Sequence, residues 1–160
     1  MAVSLRKWKI EDASALAEVF QKTDRRWLSD DTPDNIWGAE AFLRNRSNPS
    51  DLIRAIVYDE RIVGQIGAEK LDSTSAEIGY CLISEYENRG ITTEAVRQIC
   101  GIAFAELNVV RLQAKVFESN TGSKRVLEKA GFMLESILEK SAIKGGKFIN
   151  ECLYVKLKED

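Results

Sequence analysis

Two segments carry the residue types and spacings best suited to chemistry. The first is Tyr86-Glu87-Asn88-Arg89-Gly90-Ile91-Thr92-Thr93-Glu94-Ala95, which joins a strand-like to a helix-like stretch. Gly90 permits a tight turn and close backbone approach to a ligand. The free N–H groups of the helix start point outward, and the helix dipole favours negative charge there. Arg89 adds a cation. A phosphate suits this arrangement, while an ordinary connection with a solvated Arg89 reads the same way. The second segment is Asn120-Thr121-Gly122-Ser123-Lys124-Arg125-Val126-Leu127-Glu128-Lys129-Ala130-Gly131-Phe132. Asn120 can cap a helix while its amide still meets a ligand, and Ser123 can cap or donate a proton. Lys124 and Arg125 are surface charges, or they reach a nucleotide phosphate lying between the two helix starts.

The elements that must position these segments follow from periodicity. Val3–Ile10 reads as a strand. Glu11 and Asp12 open a helix with an apolar stripe of Ala13, Leu16, Ala17 and Phe20. Thr23–Gly38 is irregular and polar, and a short helix follows over Ala39–Asn45, ending near Asn48-Pro49. Strands are expected at Leu52–Tyr58 and Arg61–Ala68, joined by a tight Asp59-Glu60 turn. A third strand, Ala76–Ile83, puts Ile78, Tyr80 and Leu82 on one face and Glu77, Gly79 and Cys81 on the other. Thr93–Leu107 is the clearest helix, with Val96, Ile99, Cys100, Ala103 and Leu107 at helical spacing. Arg111–Phe117 is a strand. Ser123–Ala130 is a helix closed by Gly131 in the left-handed conformation. A hairpin, Leu134–Ile143 with Phe148–Leu157, turns at Lys144-Gly145-Gly146-Lys147.

The resulting order is β-α-α-β-β-β-α-β-α-β-β. Strand Ala76–Ile83, helix Thr93–Leu107 and strand Arg111–Phe117 form a βαβ unit, so one parallel pair sits in a mostly antiparallel sheet. Both chemically suited segments then lie at the carboxyl ends of adjacent parallel strands. Two helix starts there define a crevice for an anionic ligand.

Composition narrows the chemistry further. The 160 residues contain no histidine, which excludes Ser-His-Asp triads, Cys-His dyads and His-ligated metal. The three cysteines Cys81, Cys100 and Cys152 lack metal spacing and read as reduced thiols of a cytoplasmic protein. Cys81 on its strand reads as structural, since no imidazole could activate it. Lys plus Arg total 23 against 25 Asp plus Glu, so charge balance argues against a nucleic-acid or membrane partner. No signal peptide or membrane span is read, and the length suits a single domain over residues 1–160.

The chain resembles the GCN5-related N-acetyltransferases (GNAT), and within them the ribosomal-protein N-terminal alanine acetyltransferase-like subgroup. The residues that carry this are Ala76-Glu77-Ile78-Gly79-Tyr80, Arg89-Gly90-Ile91 with Thr93-Glu94-Ala95, and Asn120 and Ser123 followed by Arg125–Lys129 and Gly131-Phe132. Gly145–Phe148 and Leu153-Tyr154 fit as well. The resemblance spans Leu5 to Leu157. It implies an α/β (α+β) fold with a mixed, mostly antiparallel sheet of about seven strands flanked by about four helices. It also implies acetyl-CoA as co-substrate, with no metal, and acetyl transfer to a primary amine by direct attack in a ternary complex.

The same resemblance assigns roles. Backbone at Leu82, Ile83 and Ser84 would pair with pantetheine. Arg89, Gly90, Ile91, Thr92 and Thr93 would hold the pyrophosphate through backbone N–H groups, with Arg125 nearby. Asn120 would meet pantetheine, and Ser123 would sit near the sulfur and protonate the leaving thiolate. Glu77 is the candidate base, acting through water. Three positions depart from the family loop: Glu87, Asn88 and Thr92. They keep open a non-catalytic module of the same fold that binds an acyl-CoA or a protein partner. Monomer and homodimer are both compatible with the chain.

The acceptor side is read from Asp24–Trp37, where four aspartates, two arginines and two tryptophans cluster. Trp27, Asp31 and Trp37 are the candidate substrate-binding residues. Acids with aromatic walls suit a cationic amine, and a solvated loop with two packed tryptophans has the same composition. An α-amine has a pKa near 8, so roughly a tenth is already neutral at pH 7. A peptide or protein amino terminus is therefore favoured, and a polyamine or aminosugar also fits.

Overall fold

The computed structural model describes residues 2–46 and 51–160. Among them, seven strands form one sheet in the order β1-β2-β3-β4-β5-β7-β6. The strands are β1 (Val3–Lys7), β2 (Asp51–Tyr58), β3 (Arg61–Lys70), β4 (Ser75–Leu82), β5 (Arg111–Phe117), β6 (Met133–Lys144) and β7 (Lys147–Leu157). The α-helices are α1 (Ala13–Lys22), α2 (Ile36–Asn45), α3 (Ile91–Glu106) and α4 (Thr121–Lys129). Only β4 and β5 are parallel; every other neighbouring pair is antiparallel. The expected mixed sheet and its βαβ unit are both present.

Each face of the sheet has its own core. Leu16, Val19 and Phe20 of α1 and Ala39 and Leu43 of α2 are buried with Cys81 and Ile83. On the opposite face, Val96, Ile99, Cys100 and Ala103 of α3 and Leu127 of α4 pack on Ile66, Ile78, Leu82 and Leu112. The alternation read along β4 is thus realised: Ile78 and Leu82 face α3, and Cys81 faces α1. Burying such side chains stabilises by about 1.5–3 kcal/mol each, which the ordering of the chain largely offsets.

Differences from the sequence reading fall at element ends and have local causes. The first strand stops at Lys7 instead of Ile10, because Asp12 draws the chain into a short 3-10 turn over Ile10–Asp12. Its carboxylate accepts from the Arg6 guanidinium at 2.8 and 3.0 Å and from the Lys9 N–H at 2.8 Å. α2 begins at Ile36, three residues before Ala39, because the Asn35 side chain caps it by accepting the Gly38 N–H at 2.8 Å. The expected helix end near Asn48-Pro49 lies outside the described residues. The tight turns need left-handed backbone: Asp59 and Glu60 have φ of 52° and 60°, and Gly145 and Gly146 have 58° and 77°.

Candidate active site

β4 and β5 pair only from Ser75/Arg111 to Glu77/Gln113. Beyond that point β4 keeps only β3 as neighbour and β5 keeps only β7. The parted strands open a cleft of about 680 Å³, lined by Ile78–Leu82 on one side and Ala114–Phe117 on the other. The Ile83 N–H donates to the Val63 carbonyl at 2.8 Å. By the alternation of an antiparallel ladder, Cys81 and Gly79 then also bond to β3. Tyr80 and Leu82 therefore turn their N–H and C=O groups toward the opening. Gly79 is exposed there, with nothing within 4 Å of the position a Cβ would take.

The start of α3 closes one end of this cleft. Gly90 is its N-cap, at φ 77°, and provides no side-chain partner for the first-turn N–H groups. Gly90, Ile91, Thr92 and Thr93 all line the cleft. Asn88, one of the departures from the family loop, has φ 61°. Asn accepts that left-handed conformation at lower cost than most residues. Glu87 also lines the cleft, and its carboxyl interacts with Asp24 and Arg26 of the α1–α2 connection. Burial, with Asp24 adding to it, raises its pKa above the ordinary carboxylate value.

The start of α4 faces it. Asn120 caps this helix, its Oδ1 accepting the Ser123 N–H at 3.2 Å. Ser123 Oγ lies 2.6 Å from Tyr80 Oη. Burial pushes the Tyr80 phenol up to about 12, opposed by the bond to Ser123. Tyr80 thus stays protonated at neutral pH, and either hydroxyl can donate to the other. Sequence reading gave Tyr80 a place on a strand face but no role. The signal was its alternation with Ile78 and Leu82, which aims it at the helix that carries Ser123. Arg125 lines the cleft as well.

Several expected residues stand elsewhere. The Arg89 guanidinium turns back, donating to the Glu85 carbonyl at 3.1 Å and lying 5.1 Å from the Tyr86 ring centroid, and it does not line the cleft. Ile83 is buried in the core beneath α1 and Ser84 begins a short 3-10 turn, so of the stretch Leu82–Ser84 only Leu82 lines the cleft. Trp37 is 77% exposed and lines neither cleft nor groove. It stands two residues before the buried Ala39, hence on the far side of α2.

A second, more open hollow adjoins the cleft along Ile78–Cys81. Trp27 lines both, whereas Asp31 and Glu77 line only this groove. The Glu77 carboxylate has Lys115 Nζ at 3.7 Å and accepts from Gln113 Nε2 at 3.3 Å. The groove's wall at Leu28–Asp30 is pinned by the β6–β7 turn: Lys144 Nζ donates to the Leu28 carbonyl at 2.7 Å and meets Asp30 at 3.0 Å. Cys81 is buried, and burial raises its thiol to about 11, the opposite of nucleophile activation. Among the described residues, no group of three or more Cys, Asp or Glu is placed to hold a metal ion, and no helix is long and apolar enough to cross a membrane.

The parted parallel strands and the two helix starts above them have counterparts in known proteins. The profile of the Acetyltransferase (GNAT) domain matches residues 3–133. The chain belongs to this family, whose members are acyltransferases. It is 42% identical to YjcK of Bacillus subtilis (strain 168), a probable N-acetyltransferase, over 86 residues, which make up 52% of this chain and 48% of that protein. It is 28% identical over 161 residues to YdaF of the same organism, provisionally named a ribosomal N-acetyltransferase, covering 92% of this chain and 84% of that one. A structure of Mycobacterium smegmatis RimJ in complex with CoA-disulfide superposes with a TM-score of 0.87 at 23% identity, covering 97% and 81% of the two chains. The resemblance to the ribosomal-protein acetyltransferase-like subgroup stands with these relatives.

Proposed function

We propose that this protein transfers the acetyl group of acetyl-CoA to the primary amine of an acceptor bound beside it, with a peptide or protein α-amine favoured. The observation that carries this is the parting of β4 from β5 beyond Glu77/Gln113. It leaves strand-like backbone at Tyr80 and Leu82 without a protein partner, directly below two helix starts. Backbone of that kind pairs with the amides of pantetheine. The uncapped first turn of α3, Gly90–Thr93, receives the pyrophosphate through N–H groups and dipole, and Arg125 adds charge from α4. The RimJ complex with CoA-disulfide, of the same fold, supports this reading.

Bound there, acetyl-CoA supplies an activated thioester that a neutral amine can attack. The remaining work belongs to the chain. Ser123, held by Tyr80, hydrogen-bonds the departing sulfur and serves as its proton donor. Asn120 fixes the start of α4, and hence Ser123. Trp27 and Asp31 wall the acceptor side, and Glu77 receives the proton of the amine through water. Calorimetric titration of acetyl-CoA, with free CoA and desulfo-CoA as comparators, tests the cofactor half. Micromolar binding is expected, and no detectable heat would count against it.

A further inference from the structure

The groove beside the cleft has an ordered floor. Three rows cross β2, β3 and β4 on the face toward α1 and α2: Ala55–Gln65–Cys81, Ile53–Gly67–Gly79 and Asp51–Glu69–Glu77. The middle row contains two glycines and forms a trough ending at Gly79, where β4 and β5 part. Gly67 has no room for a side chain, since a Cβ there would lie 2.7 Å from the Leu52 carbonyl. One bank of the trough is Gln65 and the other is a row of three carboxylates.

Each bank holds side chains without a partner among the described residues. Gln65 is only 8% exposed, yet among the described residues its amide makes no hydrogen bond. That amide lines the groove, with Nε2 3.6 Å from the Cβ position of Gly67. The amide opens onto the groove, where it can pair with something that enters the trough. Like charges directly opposite on neighbouring strands destabilise a sheet. Asp51, Glu69 and Glu77 stand in that relation, and only Glu77 is neutralised, by Lys115. The side chains of Asp51 and Glu69 have no ion pair with a described residue. The three are strung along a row and not gathered round one point, a spacing that suits an extended cation.

We propose that this trough selects an acceptor with a second positive charge: a peptide whose reacting amino terminus lies at Gly79 and whose basic side chain reaches the Asp51–Glu69–Glu77 row. Gln65 receives the peptide backbone from the opposite bank. Strand spacings of about 4.8 Å and rises of about 3.3 Å per residue put Glu69 about 8 Å from Gly79 and Asp51 about 12 Å away. The basic residue therefore falls at about the second to fourth position of an extended peptide. The inference rests on the acetyl-transfer reading for the position of the amine, and its test is a binding measurement that needs no turnover.

Two peptides with the same first residue, one with Lys and one with Gln at positions two to four, are titrated into the protein with desulfo-CoA present. The Lys peptide is expected to bind about tenfold tighter, with the preference shrinking as salt rises. Glu69→Gln should shrink the difference between the two affinities, and Asp51→Asn with Glu69→Gln should bring them together. Gln65→Leu should weaken both peptides alike. Equal affinities in the wild-type protein, or a preference undiminished in the Asp51→Asn, Glu69→Gln double variant with the fold intact by circular dichroism, would overturn the proposal. Selective binding with no acetyl transfer to either peptide would support the trough and contradict the catalytic reading instead.

Discussion

The hydroxyls of Tyr80 and Ser123 stand 2.6 Å apart, bridging the parted end of β4 to the first turn of α4. The phenol, raised to about 12 by burial, keeps its proton throughout the neutral range. It can therefore donate to Ser123 Oγ and leave the serine proton free for the cleft. Ser123→Ala is expected to lower kcat about 100-fold with acetyl-CoA affinity nearly unchanged. Tyr80→Phe should cost less, because it acts through Ser123. The double variant should fall short of the product of the two losses, since both remove one device. A collapse of cofactor binding in Ser123→Ala would mean that Ser123 only shapes the helix start.

Asn120 has two separable duties. As cap of α4 it accepts the Ser123 N–H, and it also lines the cleft proposed to hold acetyl-CoA. Asn120→Ala should lower stability by about 1 kcal/mol and weaken acetyl-CoA binding. Asn120→Asp keeps the acceptor oxygen and should recover the melting temperature but not the full affinity. Thermal denaturation and calorimetry on both variants separate the two duties.

The unusual Glu87–Thr92 loop is accommodated by its backbone. Asn88 occupies φ 61°, a conformation Asn adopts at lower cost than most residues. Asn88→Gly with Thr92→Ala should change acetyl-CoA affinity less than about threefold, well under 1.4 kcal/mol. Asn88→Val should be poorly tolerated, because a β-branched residue resists the left-handed region. A large gain in affinity from the first pair would show that the loop is impaired.

Buried thiols should make stability fall at alkaline pH. Burial raises Cys81 and Cys100 to about 11, while an unfolded chain releases such protons near pH 8.5. Between these values the unfolded state binds fewer protons, so stability falls as pH rises from about 8.5 toward 11. Melting temperature should decline across that window, and Cys81→Ala should flatten the decline. At pH 8 a thiol reagent should leave Cys81, Cys100 and Cys152 untouched until denaturant is added, since all three are buried.

Much of this was legible in the residues because it is local. Helical spacing in Val96–Ala103 and alternation in Ile78–Leu82 each specify a face, and Asn120 announces its cap three residues before Ser123. What was not legible depends on strands meeting from afar. Nothing in β2, β3 or β4 alone says that Asp51, Glu69 and Glu77 align, or that Gly67 and Gly79 form one trough. Register decides that. The side chains of Arg89 and Trp37 stand away from the cleft for a related reason. Residue type suggested a ligand, but the rotation of a short segment turned Arg89 onto Tyr86 and Trp37 away from the core side of α2.

Acetyl transfer itself is tested most directly by mixing the protein with labelled acetyl-CoA and a basic peptide with a free amino terminus. The peptide and the protein are then analysed by mass spectrometry while thiol release is followed. Acetyl on the peptide's α-amine, matched mole for mole by released CoA and with no label on the protein, is the predicted result. Acetyl-CoA bound without transfer to this or any amine in a wider panel would contradict it and leave a non-catalytic acyl-CoA-binding module.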